Sequence, residues 1–401
     1  MNTLLLILRI LLICVEVVVA FYMLIPLFSV LTYGFFKLFG IKPFTWKKIV
    51  DPRNFEFAMI ITAHQDIRFI FPLVDSILKQ EYQHFYIYVV ADDCDVSTLV
   101  FNDPRVIILR PEVGLHAKTR SIRYAIDHFV KKHDAVVIFD VDNLIHPKFL
   151  TVINNHFQRG YKVVQADFKP KNTESSFARM DAMGDMLNFF IDRESKMLLG
   201  LSSAIWGAGI AVDLDLYNSV EYKDNLGGFD KKLQSHTVLN VKRIAFAPEA
   251  ILYDEKIDSG ASLEKQRTRW LSSYFKYLGE NSMIFREGLK KFDFNLIYFG
   301  AFTVRPPLFI LMAVALVITV INFFISIPAF IFWICAIASF FISFIAIVLI
   351  KGKNIAYLKT MFMLPAFIFR QVMALLKLGK AKKSFMKTEH HQVVYIDDIL
   401  K

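Results

Sequence analysis

Two groups of aspartates stand directly after apolar stretches of the sequence. The segment YVVADDCD supplies Asp92, Asp93 and Asp95, and the segment VVIFDVDN supplies Asp140 and Asp142. In the second group one apolar residue separates the acids, so both carboxylates can reach a cleft while the residue between them packs inward. Carboxylates that hold a divalent cation while it bridges phosphate oxygens predict Mg²⁺ or Mn²⁺. The alternative for either group is a helix cap or a turn, where aspartate is common.

Short β-rich segments alternate with helical segments from residue 55 onward. The predicted strands are FEFAMIITA, HFYIYVVADD, RVIILR and DAVVIFDVD, and the predicted helices are RFIFPLVDSILKQ and AKTRSIRYAIDHFVKK. This alternation predicts an α/β fold with a mostly parallel sheet and helices on both of its faces. Ligands of such sheets bind beyond the carboxyl ends of the strands, where both groups of aspartates lie.

Three apolar segments are long enough to cross a membrane. Residues 306–350 contain no Asp, Glu, Lys or Arg, and Ser326-Ile327-Pro328 divides them into two predicted spans of about 20 residues each. Residues 4–36 are apolar apart from Arg9 and Glu16, lack a small-residue cleavage site and continue into basic sequence, which predicts a retained helix. Basic residues follow the first and the third span on the same side. The sequence therefore predicts an integral membrane protein of the inner or plasma membrane whose central domain is cytoplasmic.

The formal net charge of the chain is +10. Either anionic membrane lipid or a phosphorylated substrate explains this excess, and composition does not separate the two. We expect no nucleic-acid partner. The three cysteines, Cys14, Cys94 and Cys335, indicate neither a disulfide framework nor a cysteine metal site.

A series of motifs in this order resembles membrane-bound family 2 glycosyltransferases with the GT-A fold, and most closely the processive synthases of the hyaluronan, chitin and cellulose type. The motifs are ITAHQD at 61–66, VVADDCD at 89–95, GLHAKTRSIRYAI at 114–126, FDVDN at 139–143 and QRTRW at 266–270. The resemblance covers about residues 55–277. It implies an inverting enzyme of the hexosyltransferase type, which transfers a sugar from a nucleotide-sugar donor, with a UDP-sugar expected, to a saccharide or lipid-linked acceptor in polysaccharide synthesis.

The resemblance also implies a donor site. The first two motifs would hold the nucleotide, at Ala63 and at Asp92 or Asp93, one of which would accept a hydrogen bond from the uracil N–H. Lys118 matches the basic residue that the family places near the nucleotide. Its structural alternative is a solvated lysine at the start of a helix.

The metal and the diphosphate come next in the implied site. Asp140 and Asp142 would hold the cation, with Asp142 the more direct ligand, and the cation would act as a Lewis acid on the departing nucleoside diphosphate. Gln266, Arg269 and Trp270 share one face of a predicted helix, so Arg269 can contact the diphosphate and Trp270 can lie against a sugar ring. The alternative for this helix is an interfacial one with a snorkelling arginine and an anchoring tryptophan.

The catalytic base depends on the register of GGFD at 227–230. If GGFD is the turn before the Glu-Asp pair of the family, the pair falls at His236 and Thr237 and contains no carboxylate. If Phe229-Asp230 is the pair itself, the base lies 36 residues before Gln266, which is close to the spacing in the processive relatives. We therefore assign Asp230 as the base that deprotonates the acceptor hydroxyl. A structural aspartate in a glycine turn is the alternative.

Phe229 stands where the family usually has Glu. This departure supports a second hypothesis, that the chain is a non-catalytic subunit that binds nucleotide or assembles a polysaccharide export complex. Trp206, in a segment that resembles the acceptor-lining region, is a candidate platform for the acceptor. Three spans are few for one chain to form a polysaccharide pore, so the product is either exported by a homo-oligomer or with a partner, or is a lipid-linked oligosaccharide.

These segments divide the chain into six predicted parts. They are a transmembrane helix (1–36), a basic linker (37–54), the GT-A domain (55–285), an interfacial helix (286–305), two transmembrane helices (306–351), and an interfacial helix with a basic tail that contacts membrane lipid (352–401).

Overall fold

The computed structural model describes residues 3–41, 48–222, 227–381 and 391–401. Its strands form one eight-stranded sheet in the order β3-β2-β1-β4-β7-β6-β8-β5. The strands are β1 (Phe57–His64), β2 (Phe85–Asp92), β3 (Val106–Leu109), β4 (Ala135–Asp140), β5 (Leu144–Ile145), β6 (Val163–Pro170), β7 (Ile210–Asp213) and β8 (Ala245–Asp254). The pairs β1–β2, β1–β4, β2–β3 and β6–β8 are parallel, whereas β4–β7, β6–β7 and β5–β8 are antiparallel. The predicted α/β fold with a mostly parallel sheet is confirmed.

Helices connect these strands and extend the chain on both sides of them. Up to the end of the sheet domain they are α1 (Thr3–Leu38), α2 (Ile70–Leu78), α3 (Lys118–Asp127), α4 (Phe149–Gln158), α5 (Ser176–Phe189), α6 (Ser195–Leu198), α7 (Leu214–Asn218), α8 (Phe229–Asn240) and α9 (Gly260–Lys291). The later helices are α10 (Phe294–Thr303), α11 (Leu308–Ile325), α12 (Ile327–Gly352), α13 (Ala356–Thr360), α14 (Leu364–Leu376), α15 (Leu378–Ala381) and α16 (Ile396–Leu400). A π-helical turn, Phe190–Glu194, joins α5 to α6.

The central strands are apolar throughout because both faces of the sheet are covered. One apolar layer contains Ile61, Val89 and Phe139 with side chains of α2 and α4. The opposite layer contains Ile60 and Ile138 with side chains of α3, α8 and α10. Buried parallel strands of this kind lack the alternation of polar and apolar residues that marks a solvated face.

The register of the central strands brings their carboxyl ends together. His64 at the end of β1 lies opposite Asp92 at the end of β2, and Thr62 of β1 lies opposite Asp140 at the end of β4. The two groups of aspartates therefore meet at one edge of the sheet, as the sequence predicts for parallel strands.

Four helical segments are long and apolar enough to cross a membrane, namely Leu6–Leu38, Leu308–Ile325, Ile327–Gly352 and Ala356–Leu376. The first three match the predicted spans, with Ser326 alone between α11 and α12. The fourth falls in the segment predicted to be interfacial. Within it, Ala374 accepts a hydrogen bond from Thr268 of α9 at 3.3 Å, so α14 packs on the sheet domain. The interfacial assignment of this segment stays a prediction.

The last residues of the chain return to the sheet domain. Glu255 accepts hydrogen bonds from the backbone N–H groups of His391 and Gln392, at 2.8 and 3.0 Å. Ile396 is fully buried, and Asp397 pairs with Lys79 at 2.7 Å. Parts of the predicted basic linker and basic tail lie outside the described residues, including Lys42, Lys47, Lys382, Lys383 and Lys387.

Candidate active site

Lys118 connects the end of β4 to the loop that precedes β7. As the first residue of α3, it extends Nζ to 2.5 Å from Asp140 Oδ1 and donates to the backbone oxygen of Gly207 at 2.7 Å. Lys118 is therefore not merely a solvated lysine at a helix start. One ammonium holds the predicted metal-binding strand end against the predicted acceptor loop.

The start of α8 places Asp230 at the same edge. Gly228 precedes the helix in the left-handed conformation, with φ of 71°, and a Cβ at this position would stand 2.5 Å from the ring of Tyr277. Only glycine satisfies both conditions, which fixes the helix start beside α9. Asp230 in the first turn keeps about a fifth of its side chain exposed, and its Oδ2 lies 3.7 Å from Lys231 Nζ.

Phe229 packs between the lysine and the acceptor loop. The Lys118 ammonium lies 4.9 Å from the centre of the Phe229 ring, within range of a cation–π contact. A Cβ on Gly207 would stand 3.3 Å from this ring and 4.0 Å from Asp230 Cβ. The aromatic residue that replaces the Glu of the family thus contacts the ammonium through its ring face.

The other register of GGFD gives residues that lie elsewhere. His236 is bonded to Ser219 at 2.9 Å on the far part of α8. Thr237 is fully buried, and its hydroxyl donates to the backbone oxygen of Leu233 at 2.7 Å. The structure brings Asp230 to the acidic edge and brings neither of these residues there.

Arg269 of α9 faces three carboxylates. Burial lowers the pKa of its guanidinium, and the charges of Asp140, Asp230 and Asp142 oppose that shift. A half-buried cation among three acids neutralises part of their mutual repulsion, and it also presents a planar donor to a phosphate. The predicted metal ligands, the predicted base and the predicted diphosphate contact therefore share one site.

The neighbours of Arg269 on the same helix face complete this wall. Gln266 Oε1 is buried, and no residue in the described part of the chain donates a hydrogen bond to it. Trp270 is 37% exposed, with its ring centre 6.0 Å from that of Trp206 and 4.2 Å from the guanidinium of Arg267. The two tryptophans thus form an aromatic surface beside the acids.

The two acids of the FDVDN motif differ in exposure. The Asp140 side chain is about half exposed, whereas Asp142 is 7% exposed. Lys171 Nζ donates to the backbone oxygen of Asp142 at 2.6 Å, and burial lowers the pKa of this lysine. Carboxylate oxygens at the mouth of a cleft suit a hard divalent cation that takes its other ligands from phosphate and water. Sequence reasoning did not assign a role to Lys171, because its contact spans 29 residues of chain.

Asp92 is a positioning residue for the loop that leads to α3. It is 2% exposed, and its carboxylate accepts hydrogen bonds from the backbone of Leu115 at 2.6 Å and of His116 at 2.9 Å. His64 Nδ1 lies 3.1 Å from the same carboxylate. Asp93 is exposed and has a left-handed φ of 58°. Asp93 is therefore the more accessible of the two aspartates that could accept a hydrogen bond from the uracil N–H.

Ala63, the other residue predicted to contact the nucleotide, offers backbone atoms rather than a side chain to a ligand. Ala63 is 2% exposed and packs in the core, so only its backbone can contact a ligand. Ligand atoms of His64, Asp92 and His116 lie within 4.8 Å of one another. Because the carboxylate of this trio already accepts two backbone N–H groups, we interpret the trio as a hydrogen-bonded loop anchor.

The sheet order and the acidic edge together define a GT-A type transferase domain. Residues 52–273 match the family described as glycosyltransferase like family 2, and since this match covers more than half of the chain, the chain belongs to that family and is a glycosyltransferase. No curated protein sequence matches the chain.

One solved structure supports the fold. The mannosyltransferase PcManGT from Pyrobaculum calidifontis, in complex with GDP-Man and Mn²⁺, superposes with a TM-score of 0.56 at 13% identity, over 91% of this chain and 99% of that one. TarS 1–349 of S. aureus in complex with UDP-GlcNAc gives a TM-score of 0.37 at 16% identity, over 51% of this chain and 59% of that one. At these identities the likeness concerns the fold alone.

Proposed function

We propose that this glycosyltransferase is an integral membrane, inverting enzyme whose cytoplasmic domain transfers a sugar from a nucleotide-sugar to a saccharide or lipid-linked acceptor. The observation that carries the proposal is the position of Arg269, whose guanidinium is influenced by Asp140, Asp142 and Asp230 together. This arrangement supports the proposal because it would join a metal-binding pair, a diphosphate contact and a base within one cleft. Its role in polysaccharide synthesis rests on the motif resemblance to processive synthases.

Asp230 is the proposed base. A carboxylate that is partly exposed beside the acceptor loop can take the proton of an acceptor hydroxyl as that hydroxyl attacks the anomeric carbon. Inversion follows because the attack comes from the face opposite the departing nucleotide. Phe229 leaves the proposed base without a neighbouring acid, and the charged groups beside it are Lys231 and Arg269.

Asp140 and Asp142 would hold the Mg²⁺ or Mn²⁺ that neutralises charge on the leaving nucleoside diphosphate. The structural neighbour PcManGT was solved with Mn²⁺, which supports a divalent cation here. Lys118 and Arg269 would contact the diphosphate from either side, since both already interact with the acidic edge.

A UDP-sugar is the proposed donor. Asp93 and the backbone of Ala63 would lie beside its uracil. Nucleotide sugars bound to the neighbours include both GDP-Man and UDP-GlcNAc, so the nucleotide is the first property to test. The experiment is a screen of purified membranes with UDP- and GDP-sugars, in which released nucleoside diphosphate is the readout. We expect release with a UDP-sugar that EDTA abolishes and that Mg²⁺ or Mn²⁺ restores.

Release with GDP-mannose alone would overturn the donor assignment and leave the fold and the base unaffected. Absence of turnover with every donor would instead favour the hypothesis of a nucleotide-binding assembly subunit. Turnover that persists in excess EDTA would overturn the metal assignment.

A further inference from the structure

A charged cavity lies beside the candidate active site, on the other side of Trp206. It encloses roughly 160 Å³, and the groups that matter on its walls are Asp192, Arg193, Lys196, Trp206, Lys231 and Arg305. Lys231 follows the proposed base directly, and Trp206 precedes the glycine whose backbone oxygen binds Lys118. The cavity and the catalytic cleft are therefore neighbours across the acceptor loop.

The walls carry four cations and one carboxylate. Arg305 pairs with Asp192 at 2.9 Å. Lys231 lies 3.7 Å from Asp230, which does not itself line the cavity. Arg193 and Lys196 form no ion pair within the described part of the chain. Excess positive charge in a partly enclosed, polar space favours the binding of an anion.

Arg193 and Lys196, which form no ion pair among the described residues, are also the most deeply buried of the four cations. Lys196 is 1% exposed, and its Nζ faces the ring of Phe302 at 4.2 Å but donates no hydrogen bond to any residue that the structure describes. Arg193 is 1% exposed and lies over the rings of Phe189 and Trp206 at 4.1 and 4.8 Å. Its Nη1 donates to the backbone oxygen of Asn188 at 3.4 Å, whereas its Nε lacks a hydrogen-bond partner among the described residues.

Burial of a cation that forms no ion pair costs free energy, and the pKa of Lys196 reflects that cost. The pKa of Lys196 falls to about 7 because burial disfavours its charged form. An anion bound in the cavity would supply the missing hydrogen-bond acceptor and restore the charge of the lysine. A buried ammonium that contacts aromatic rings and the charge of Asp192, but donates no hydrogen bond to a described residue, therefore points to a ligand.

The position of the cavity indicates which kind of anion can reach it. Two residues that line it lie just before α11, the second of the apolar segments that are long enough to cross a membrane: Thr303 ends α10, and Arg305 follows two residues later. Tyr22 of α1 donates to the backbone oxygen of Ala301 at 2.9 Å, so α1 borders the same region. A phosphate in the cavity can thus be attached to an apolar chain that lies along these helices.

We propose that this cavity binds the phosphate or diphosphate of a lipid-linked acceptor, so that the sugar on that lipid lies against Trp206 with its hydroxyl toward Asp230. This proposal rests on the proposed function, because it names the acceptor class of that site. It selects the lipid-linked acceptor over a free saccharide. It also separates the acceptor phosphate, at Arg193 and Lys196, from the donor diphosphate at the acidic edge.

Native mass spectrometry of the full chain in detergent, without any nucleotide-sugar, tests the proposal. The probes are geranylgeranyl diphosphate, geranylgeraniol, dioleoyl phosphatidylglycerol and inorganic phosphate. We expect geranylgeranyl diphosphate to bind at least tenfold more tightly than each of the others. Lys196→Met, which keeps the volume and removes the charge, should weaken this binding at least tenfold. Lys231→Met at the more exposed wall should weaken it at least threefold even if the first variant fails to fold.

Lys290→Met is the matched control, because Lys290 is 71% exposed and pairs only with Glu287 on the same helix. It should leave binding unchanged. Equal binding of geranylgeranyl diphosphate by the wild type, Lys196→Met and Lys231→Met overturns the cavity as a site. Equally tight binding of phosphatidylglycerol or inorganic phosphate overturns the acceptor assignment in favour of a phospholipid or a free phosphate.

A parallel measurement of nucleoside diphosphate release separates this proposal from the proposed function. Probe binding that depends on Lys196 in a chain without turnover supports the site and refutes the transferase role. Turnover in the wild type with probe binding unaffected by both variants refutes the site and keeps the transferase role.

Discussion

Lys118 Nζ lies 2.5 Å from Asp140 Oδ1, so the first residue of α3 closes onto the end of β4. The lysine neutralises the more exposed of the two acids in the FDVDN motif and holds the loop of Gly207 in place through a second hydrogen bond. In the proposed reaction this ammonium passes from the carboxylate to the donor phosphates. The proposed reaction would therefore exchange the contact between Lys118 and Asp140 for a contact between Lys118 and phosphate.

Replacement of Lys118 by Met should reduce kcat/KM for the donor by roughly 10- to 100-fold, the range for one lost hydrogen bond to a charged group. Binding of Mn²⁺ measured by electron paramagnetic resonance should become tighter, because Asp140 loses its competing cation. Lys132→Met, at an exposed position beyond the end of α3, is the control and should change neither quantity. Weaker Mn²⁺ binding by the Lys118 variant would contradict the arrangement.

Replacement of Asp230 by Asn should reduce kcat by about 10²- to 10⁴-fold, since general base catalysis contributes that range. The dissociation constant of the donor, measured by calorimetry on the solubilised protein, should stay within about twofold, as the base contacts the acceptor. His236→Asn tests the other register and should leave kcat unchanged. Unchanged turnover in Asp230→Asn would remove the base assignment.

Replacement of Phe229 by Leu keeps an apolar side chain and removes the ring face under the Lys118 ammonium. A cation–π contact at a partly exposed site is worth about 0.5 to 1 kcal/mol, so kcat/KM should fall roughly two- to fivefold. Phe229→Tyr retains the ring and should stay close to the wild-type value. If both variants match the wild type, the ring serves packing alone.

Replacement of Arg269 by Lys keeps the charge but loses the planar fork. Because the proposed contact is to a diphosphate, we expect kcat to fall by about 10² while the thermal midpoint changes little. Arg286→Lys, at an exposed position on the same helix, provides the matched control. A lysine variant with full activity would show that Arg269 serves only to neutralise the three acids.

Acid should destabilise the sheet domain through His133. The Tyr88 hydroxyl accepts from the Val130 N–H at 3.1 Å and lies 2.8 Å from His133 Nε2, so the neutral ring can accept the hydroxyl proton at this nitrogen. Burial lowers the pKa of His133 to about 4 from its ordinary value of 6.5. The stabilisation is therefore complete above pH 6.5 and is lost as pH falls toward 4, by on the order of 3 kcal/mol.

Thermal midpoints of the solubilised protein between pH 7.5 and 5 measure this loss. His133→Gln retains an acceptor for the Tyr88 hydroxyl but no longer titrates, so its midpoint should fall by several degrees less than that of the wild type. Identical pH profiles of the two proteins would show that other groups cause the acid sensitivity.

The sequence by itself determined the fold class, the three long apolar segments within residues 4–36 and 306–350, and the acidic edge of the sheet. These features follow from local patterns: apolar runs become buried strands, and parallel strands bring their carboxyl ends to one edge. The spacing between Asp230 and Gln266 also selected the proposed base, Asp230, whose charge acts on Arg269 together with that of Asp140. Each of these inferences depended on chain-local periodicity or on motif order.

Only the tertiary structure decided how the acids divide their tasks. Asp92 and Asp93 are adjacent in sequence, yet one is buried against backbone N–H groups and the other is exposed. The cavity cations likewise show no sequence signal, because Arg193 and Lys196 look like ordinary residues of a helix until α10 packs over them. Burial and pairing depend on contacts between distant segments, and these contacts decide whether a charge is a helix surface, a loop anchor or a binding group.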